Sequence, residues 1–196
     1  MSSPEFNAYS EAVAALLDPP RLNELGPGSP NRAAQDQLDA LTPEQIVAPH
    51  AVADPSMASA CCAGLWLWHV FLDESHTISQ AIPSPTGSFW HGIMHRREPD
   101  AGNSKYWFRK VGDHPIFDEL CQTARELAGA EQDAGRLDSA ARFLADQQQW
   151  EPFAWIDLCD AARRGLNACE MLCRQIQQHE WRLLFDFCYR RAGGLN

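Results

Sequence analysis

Two sets of histidines at helical spacing carry the chemistry this chain can do. His69, Asp73, His76 and Gln80 fall within about 60° of one another at 100° per residue, forming one polar stripe on a helix. His91, His95 and Glu98 follow at i, i+4 and i+7 and share a face of a second helix. Imidazoles one helical turn apart can reach the same ion, which is why this spacing recurs in helical metal sites. The connection IPSPTG is short, so the two helices are expected to be antiparallel neighbours with facing stripes. The expected ligand set is His76, His91 and His95 with Asp73, and His69 further along the first stripe. Such a set suits zinc, iron or manganese inside a helical bundle. Glu98 and Glu74 are the candidate general bases. The zinc-peptidase glutamate is missing, because Gly92 follows His91.

A second signal is electrostatic. Between Gly87 and Pro115 stand Arg96, Arg97, Lys105, Arg109 and Lys110 against Glu98, Asp100 and Asp113, a basic island in a chain of formal charge −10. Arginine forks grip carboxylate or phosphate. Arg96 and Arg109, with Tyr106, are therefore the expected contacts to a small anionic substrate or ligand. The same residues also fit a reading without catalysis, in which the arginines pair with Asp73, Glu74 or Glu98 and the histidines form a hydrogen-bond network. The chain would then be a helical module binding an anion or a protein partner. Glu74-Ser75-His76 invites a serine-hydrolase reading, but no G-x-S-x-G elbow accompanies it.

These residues need helices to position them, and the patterning is helical throughout. A first helix is predicted over Glu5 to Asp18, ended by Pro19-Pro20, and a weak one over Asn31 to Leu41. Thr42-Pro43 opens another, with threonine as cap. A long central helix is predicted from about 56 to 82, apolar nearly all round from Ala58 to Leu72. The second site helix starts near Thr86 or Ser88 and runs to Arg97, Asn103 caps a helix through Lys110, and PIFDELCQTARELAG makes another. A helix over Asp138 to Gln149 and a long C-terminal helical region, with a break near Gly165, complete the chain. The expectation is a single all-α domain over residues 1–196, divided into an acidic segment (1–55), a site-bearing core (56–117) and a helical scaffold (118–196). HRREPDAGNSKYWFRK resembles one tetratricopeptide hairpin, but no second copy near a 34-residue period exists.

Totals narrow the function classes. The net negative charge argues against nucleic acid or an anionic membrane as the main partner. No apolar run approaches the roughly 18 residues of a membrane span, and the start lacks a signal-peptide pattern. Seven cysteines without a CxxC pair fit small core hydrophobes in a reduced, cytoplasmic protein. Oligomeric state is not legible.

The strings FLDESHTISQ, PTGSFWHGIMHRREPD and SKYWFRKVGDHP, with the tail HEWRLLFDFCYRR, together resemble a family of small helical proteins of bacteria and filamentous fungi. The likeness covers about a third of the chain, roughly Trp66 to Phe117 and the final helix. It implies no particular activity and supplies no catalytic residues, and it marks 66–115 as the defining stretch.

Overall fold

The computed structural model describes residues 9–195, and all regular structure among them is helical. Eleven α-helices run in the order α1 (Glu11–Leu17), α2 (Gln35–Asp39), α3 (Pro43–Val47), α4 (Pro55–Trp68), α5 (Leu72–Gln80) and α6 (Pro85–Arg97). Then come α7 (Ala101–Val111), α8 (Phe117–Asp133), α9 (Arg142–Asp146), α10 (Pro152–Arg163) and α11 (Glu170–Ala192). The expected stretch of the first helix over residues 5–8 lies outside the described residues. Thr42 caps α3 as anticipated and, with Gln45, completes a capping box, and Gly165, at φ 69°, sits in the break between α10 and α11. Asp100 rather than Asn103 caps α7, accepting from the Asn103 amide at 2.9 Å.

The predicted central helix over 56–82 is two helices. After Trp68 the amide of Val70 donates to the Leu67 carbonyl (3.1 Å) and that of Phe71 to the Trp66 carbonyl (2.9 Å). This pair of bonds is a Schellman ending, with Val70 at φ 68° in the left-handed position that glycine usually takes. Its usual hydrophobic partner contact is present: the Phe71 and Trp66 rings meet edge to face, 5.1 Å between centres. A β-branched residue in that conformation is strained, and its neighbours hold it. His69 Nε2 lies 2.8 Å from the Leu16 carbonyl, and its Nδ1 lies 2.9 Å from Asn31 Nδ2. Arg97 Nη1 donates to the Leu67 carbonyl at 3.3 Å.

The core that follows is built around close approaches at glycines. A Cβ on Gly64 would stand 2.8 Å from the Trp90 ring, and one on Gly92 would stand 2.7 Å from the Phe108 ring. Hydroxyls also tie neighbouring helices together: Ser75 Oγ donates to the Ala63 carbonyl (2.9 Å), and Ser104 Oγ donates to the Gly92 carbonyl (2.7 Å). These contacts set the register of α5 on α4 and of α7 on α6. Gly92→Ala, which must push Phe108 aside, is expected to cost about 1–3 kcal/mol, read as a lower urea midpoint with an unchanged slope.

Burial also ties stability to pH. The His69 ring and the His114 ring, which sits among Phe89, Phe117 and Phe187, are both pushed down by burial to about 4. The unfolded chain takes up these protons near pH 6.5, so the contribution is whole above that value. It is lost as pH falls from about 6.5 toward 4, and levels off below. Allowing for residual solvent screening, each ring is expected to account for at most ~2 kcal/mol. Urea unfolding at pH 7.5 and pH 4.5 should therefore show a smaller acid loss in His114→Phe than in the parent.

Candidate metal centre

The short turn between α5 and α6 makes them antiparallel neighbours, as the connection length implied. Ser84 caps α6 by accepting from the Gly87 amide (3.1 Å), with Pro85 at the first helical position. Gly87 allows the turn, since a Cβ there would stand 2.3 Å from the Ile82 carbonyl oxygen. His76 on α5 thereby faces His91 and His95 on α6. The ring centres lie 4.5 Å apart for His76–His91, 5.4 Å for His76–His95 and 4.8 Å for His91–His95. One ring nitrogen from each falls within 4.8 Å of the others. Around a tetrahedral ion with Zn–N bonds of 2.0–2.1 Å the nitrogens stand about 3.3 Å apart, so the widest pair needs to close by about 1.5 Å to share one.

Hydrogen bonds aim the rings. His95 Nδ1 lies 3.0 Å from Glu98 Oε2, which accepts only if Nδ1 carries the proton. Ser79 Oγ lies 3.2 Å from the His76 carbonyl and 3.1 Å from His91 Nδ1, so when its one proton goes to the carbonyl it accepts from Nδ1–H. In that arrangement both α6 histidines present an unprotonated Nε2. A carboxylate or hydroxyl behind a ligating imidazole is the usual outer layer of a metal site, fixing tautomer and orientation. His91, 1 % exposed, is packed against Trp107 with 4.0 Å between ring centres. Burial, then the neighbouring His95 and His76 rings and the Lys110 charge, pushes His91 down to about 3. Burial lowers His95 as well, against the opposing pull of Glu98. At neutral pH these two rings are neutral, the form that binds metal. His76 is only half-buried and gives the group a face toward solvent.

Other expected site residues are placed elsewhere. His69 is not a ligand: the Schellman ending turns it away from the α5 stripe, and both of its nitrogens are engaged by Leu16 and Asn31. Asp73 is exposed, and neither it nor Glu74 joins the histidine group. Arg96 is not a free anion contact. It is buried with Glu180, donating through Nη1 (3.0 Å) and Nη2, and stacks over Trp155. Arg109 is exposed over Phe153 (5.6 Å), and Tyr106 is an exposed ring 5.6 Å from Trp107. Ser75 is buried and committed to the Ala63 carbonyl, which rules out the serine triad. Glu98 is beside the site, holding His95. The sequence reading missed Ser79. Ser79 lies three residues beyond His76, one turn along α5, a spacing that was available to find it.

Glu98→Gln keeps the shape but weakens the pull on His95 Nδ1–H. Metal affinity should fall by about 10–100-fold with the fold intact, measured by competition with a chromophoric chelator. Family models, curated proteins and solved structures were all compared with this chain, and none matches. No helix among the described residues is long and apolar enough to cross a membrane.

Proposed function

We propose that the chain is a mononuclear metal enzyme in which His76, His91 and His95 hold a divalent ion and a small anionic substrate is turned over beside it. One observation carries this reading: three imidazole nitrogens from two helices converge within 4.8 Å. Zinc is favoured over iron or manganese, because the donor set is all nitrogen and has no carboxylate to suit the harder ions. Three neutral ligands leave the charge of such an ion undiminished, and an open fourth position lets it lower the pKa of bound water toward about 7. Glu98, 49 % exposed at its side chain and engaged with His95, acts in this reading as a positioning residue rather than a general base. Lys110 supplies the positive charge for an anionic substrate in place of the arginines. Its Nζ lies 4.2 Å from the centre of the Trp107 ring that packs on His91.

The second reading, a non-catalytic helical module, is favoured by a specific observation as well. Arg96 and His69, two residues first assigned to the site, are structural. Turnover of activated carboxylate and phosphate esters by zinc-loaded protein separates the two readings. The enzyme reading expects metal-dependent hydrolysis above that of free zinc, with a kinetic pKa near 7 that His91→Ala abolishes. Stoichiometric zinc with no turnover on any ester class would support the binding module.

A further inference from the structure

Among the described residues four large apolar side chains are exposed, and the two aromatic ones, Tyr106 (48 %) and Phe153 (40 %), stand on different helices, α7 and α10. Two contacts fix how these helices run. Lys105 pairs with Asp157, and the Arg109 guanidinium lies 5.6 Å from the centre of the Phe153 ring. Four residues forward on α7 thus match four residues back on α10, so the helices run in opposite directions along one shared seam. Tyr106 and Arg109 are i, i+3 on α7 and lie on the same side of it. The Lys110 ammonium lies 4.5 Å from the Tyr106 ring centre and 4.2 Å from that of the half-buried Trp107. Each of the two exposed rings therefore carries a cation, and both cations are themselves exposed.

Neither Arg109 nor Lys110 forms an ion pair among the described residues, in a chain with 26 acids to 16 Lys and Arg. Asp113 follows the end of α7 without pairing to either, and Glu151, two residues before Phe153, accepts from Gln149 (3.3 Å) instead. A ring face attracts a cation but does not neutralise it, so both charges remain available to a partner. Aromatic rings and arginine are the side chains in which interface cores are enriched, and the arginine fork takes a carboxylate through two N–H groups. The rest of the molecule selects among anionic partners. A net charge of −10 repels nucleic acid and anionic bilayers at long range, and two cations neutralise only about two phosphates. A second copy brings the same −10 charge. A short acidic segment with a few apolar side chains matches both the cations and the rings while adding little repulsion.

We propose that the exposed seam between α7 and α10 docks an acidic segment of a partner protein, with its carboxylates on Arg109 and Lys110 and its apolar side chains on Tyr106 and Phe153. Trp107 joins this surface to the histidine centre, since its ring packs on His91 with 4.0 Å between centres. The docking surface nevertheless stands whether or not that centre holds metal. Arg109 and Phe153 test it without touching Lys110, which the enzyme reading also uses.

The test is titration calorimetry on the full, chelator-treated chain with three probes: a synthetic peptide of glutamates interspersed with leucines, its glutamine counterpart, and oligothymidylate. The acidic peptide should bind, and its affinity should fall several-fold as salt rises from roughly 50 to 300 mM. Arg109→Glu puts a like charge at the contact and should weaken binding by at least about tenfold. Phe153→Ser removes one ring and should weaken it about fivefold. Arg136→Glu makes the same charge change at an exposed arginine already paired with Glu131, and should leave the affinity within about twofold. All three positions are exposed, so the variants keep the core intact. No binding of the acidic peptide, equal binding of the glutamine peptide, or undiminished binding in Arg109→Glu overturns the proposal. Tighter binding of oligothymidylate overturns it in favour of nucleic acid. Self-association in sedimentation that Arg109→Glu abolishes overturns it in favour of a second copy.

Discussion

Replacing both His91 and His95 by alanine is expected to remove metal binding altogether. Metal-loaded parent protein should carry close to one equivalent of zinc after gel filtration, and the double variant less than about a tenth. Two of three protein bonds to the ion are lost, so affinity should drop by at least ~10³-fold, on the order of 4 kcal/mol. The same substitutions empty space beside Trp107, which stands 4.0 Å from His91, so a stability loss will accompany them. The two effects separate cleanly. Zinc should raise the unfolding midpoint of the parent in proportion to its concentration over Kd, and should leave the double variant unmoved. A double variant that still gains stability from zinc places the ion elsewhere. His76→Ala checks the third ligand: it leaves the two α6 imidazoles and should retain weak binding that no longer links α5 to α6.

The second large effect is expected at Glu180, outside the histidine group. Arg96 and Glu180 join α6 to α11 in a pair whose side chains are 2 % and 0 % exposed. Glu180→Ala strands the Arg96 guanidinium under Trp155 and should cost about 3–5 kcal/mol, seen as a large drop in the urea midpoint. Replacing both partners with apolar residues, Arg96→Met with Glu180→Leu, should restore much of that loss, because the penalty is for an uncompensated buried charge and not for the absence of a bond. Zinc affinity should stay near the parental value in the double replacement. That result marks Arg96 as scaffold. A loss of metal or substrate binding with stability unchanged would return Arg96 to the site.

Local rules were enough for the helical class and for the histidine triad. The i, i+4 spacing of His91 and His95 fixes their shared face, and the short link through Pro83 and Pro85 leaves α5 nowhere to go but alongside α6. His76 then has to lie opposite them. Sequence patterning failed at Val70, where the helix stops without glycine or proline to announce it. The Schellman bonds there are held by Phe71 packing on Trp66 and by the tertiary contacts of His69, none of which has a local signature. The error spread to His69, which a continuous helix would have kept on the stripe with His76; Asp73 does share α5 with His76 but is exposed. Arg96 was misassigned for a related reason. Its partner lies 84 residues away on α11, and net charge per window cannot show which arginines are already paired. The spacing of Glu98 put it beside His95, but its contact with His95 Nδ1 has no signature in the sequence.

The most direct measurement is anomalous X-ray diffraction from crystals of the zinc-loaded protein, collected on both sides of the zinc edge. One strong difference peak is expected between α5 and α6. It should lie within about 2.0–2.1 Å of Nε2 of His91 and Nε2 of His95 and of one ring nitrogen of His76, with Glu98 still on His95 Nδ1. A zinc peak elsewhere, or none at full loading, would contradict the account.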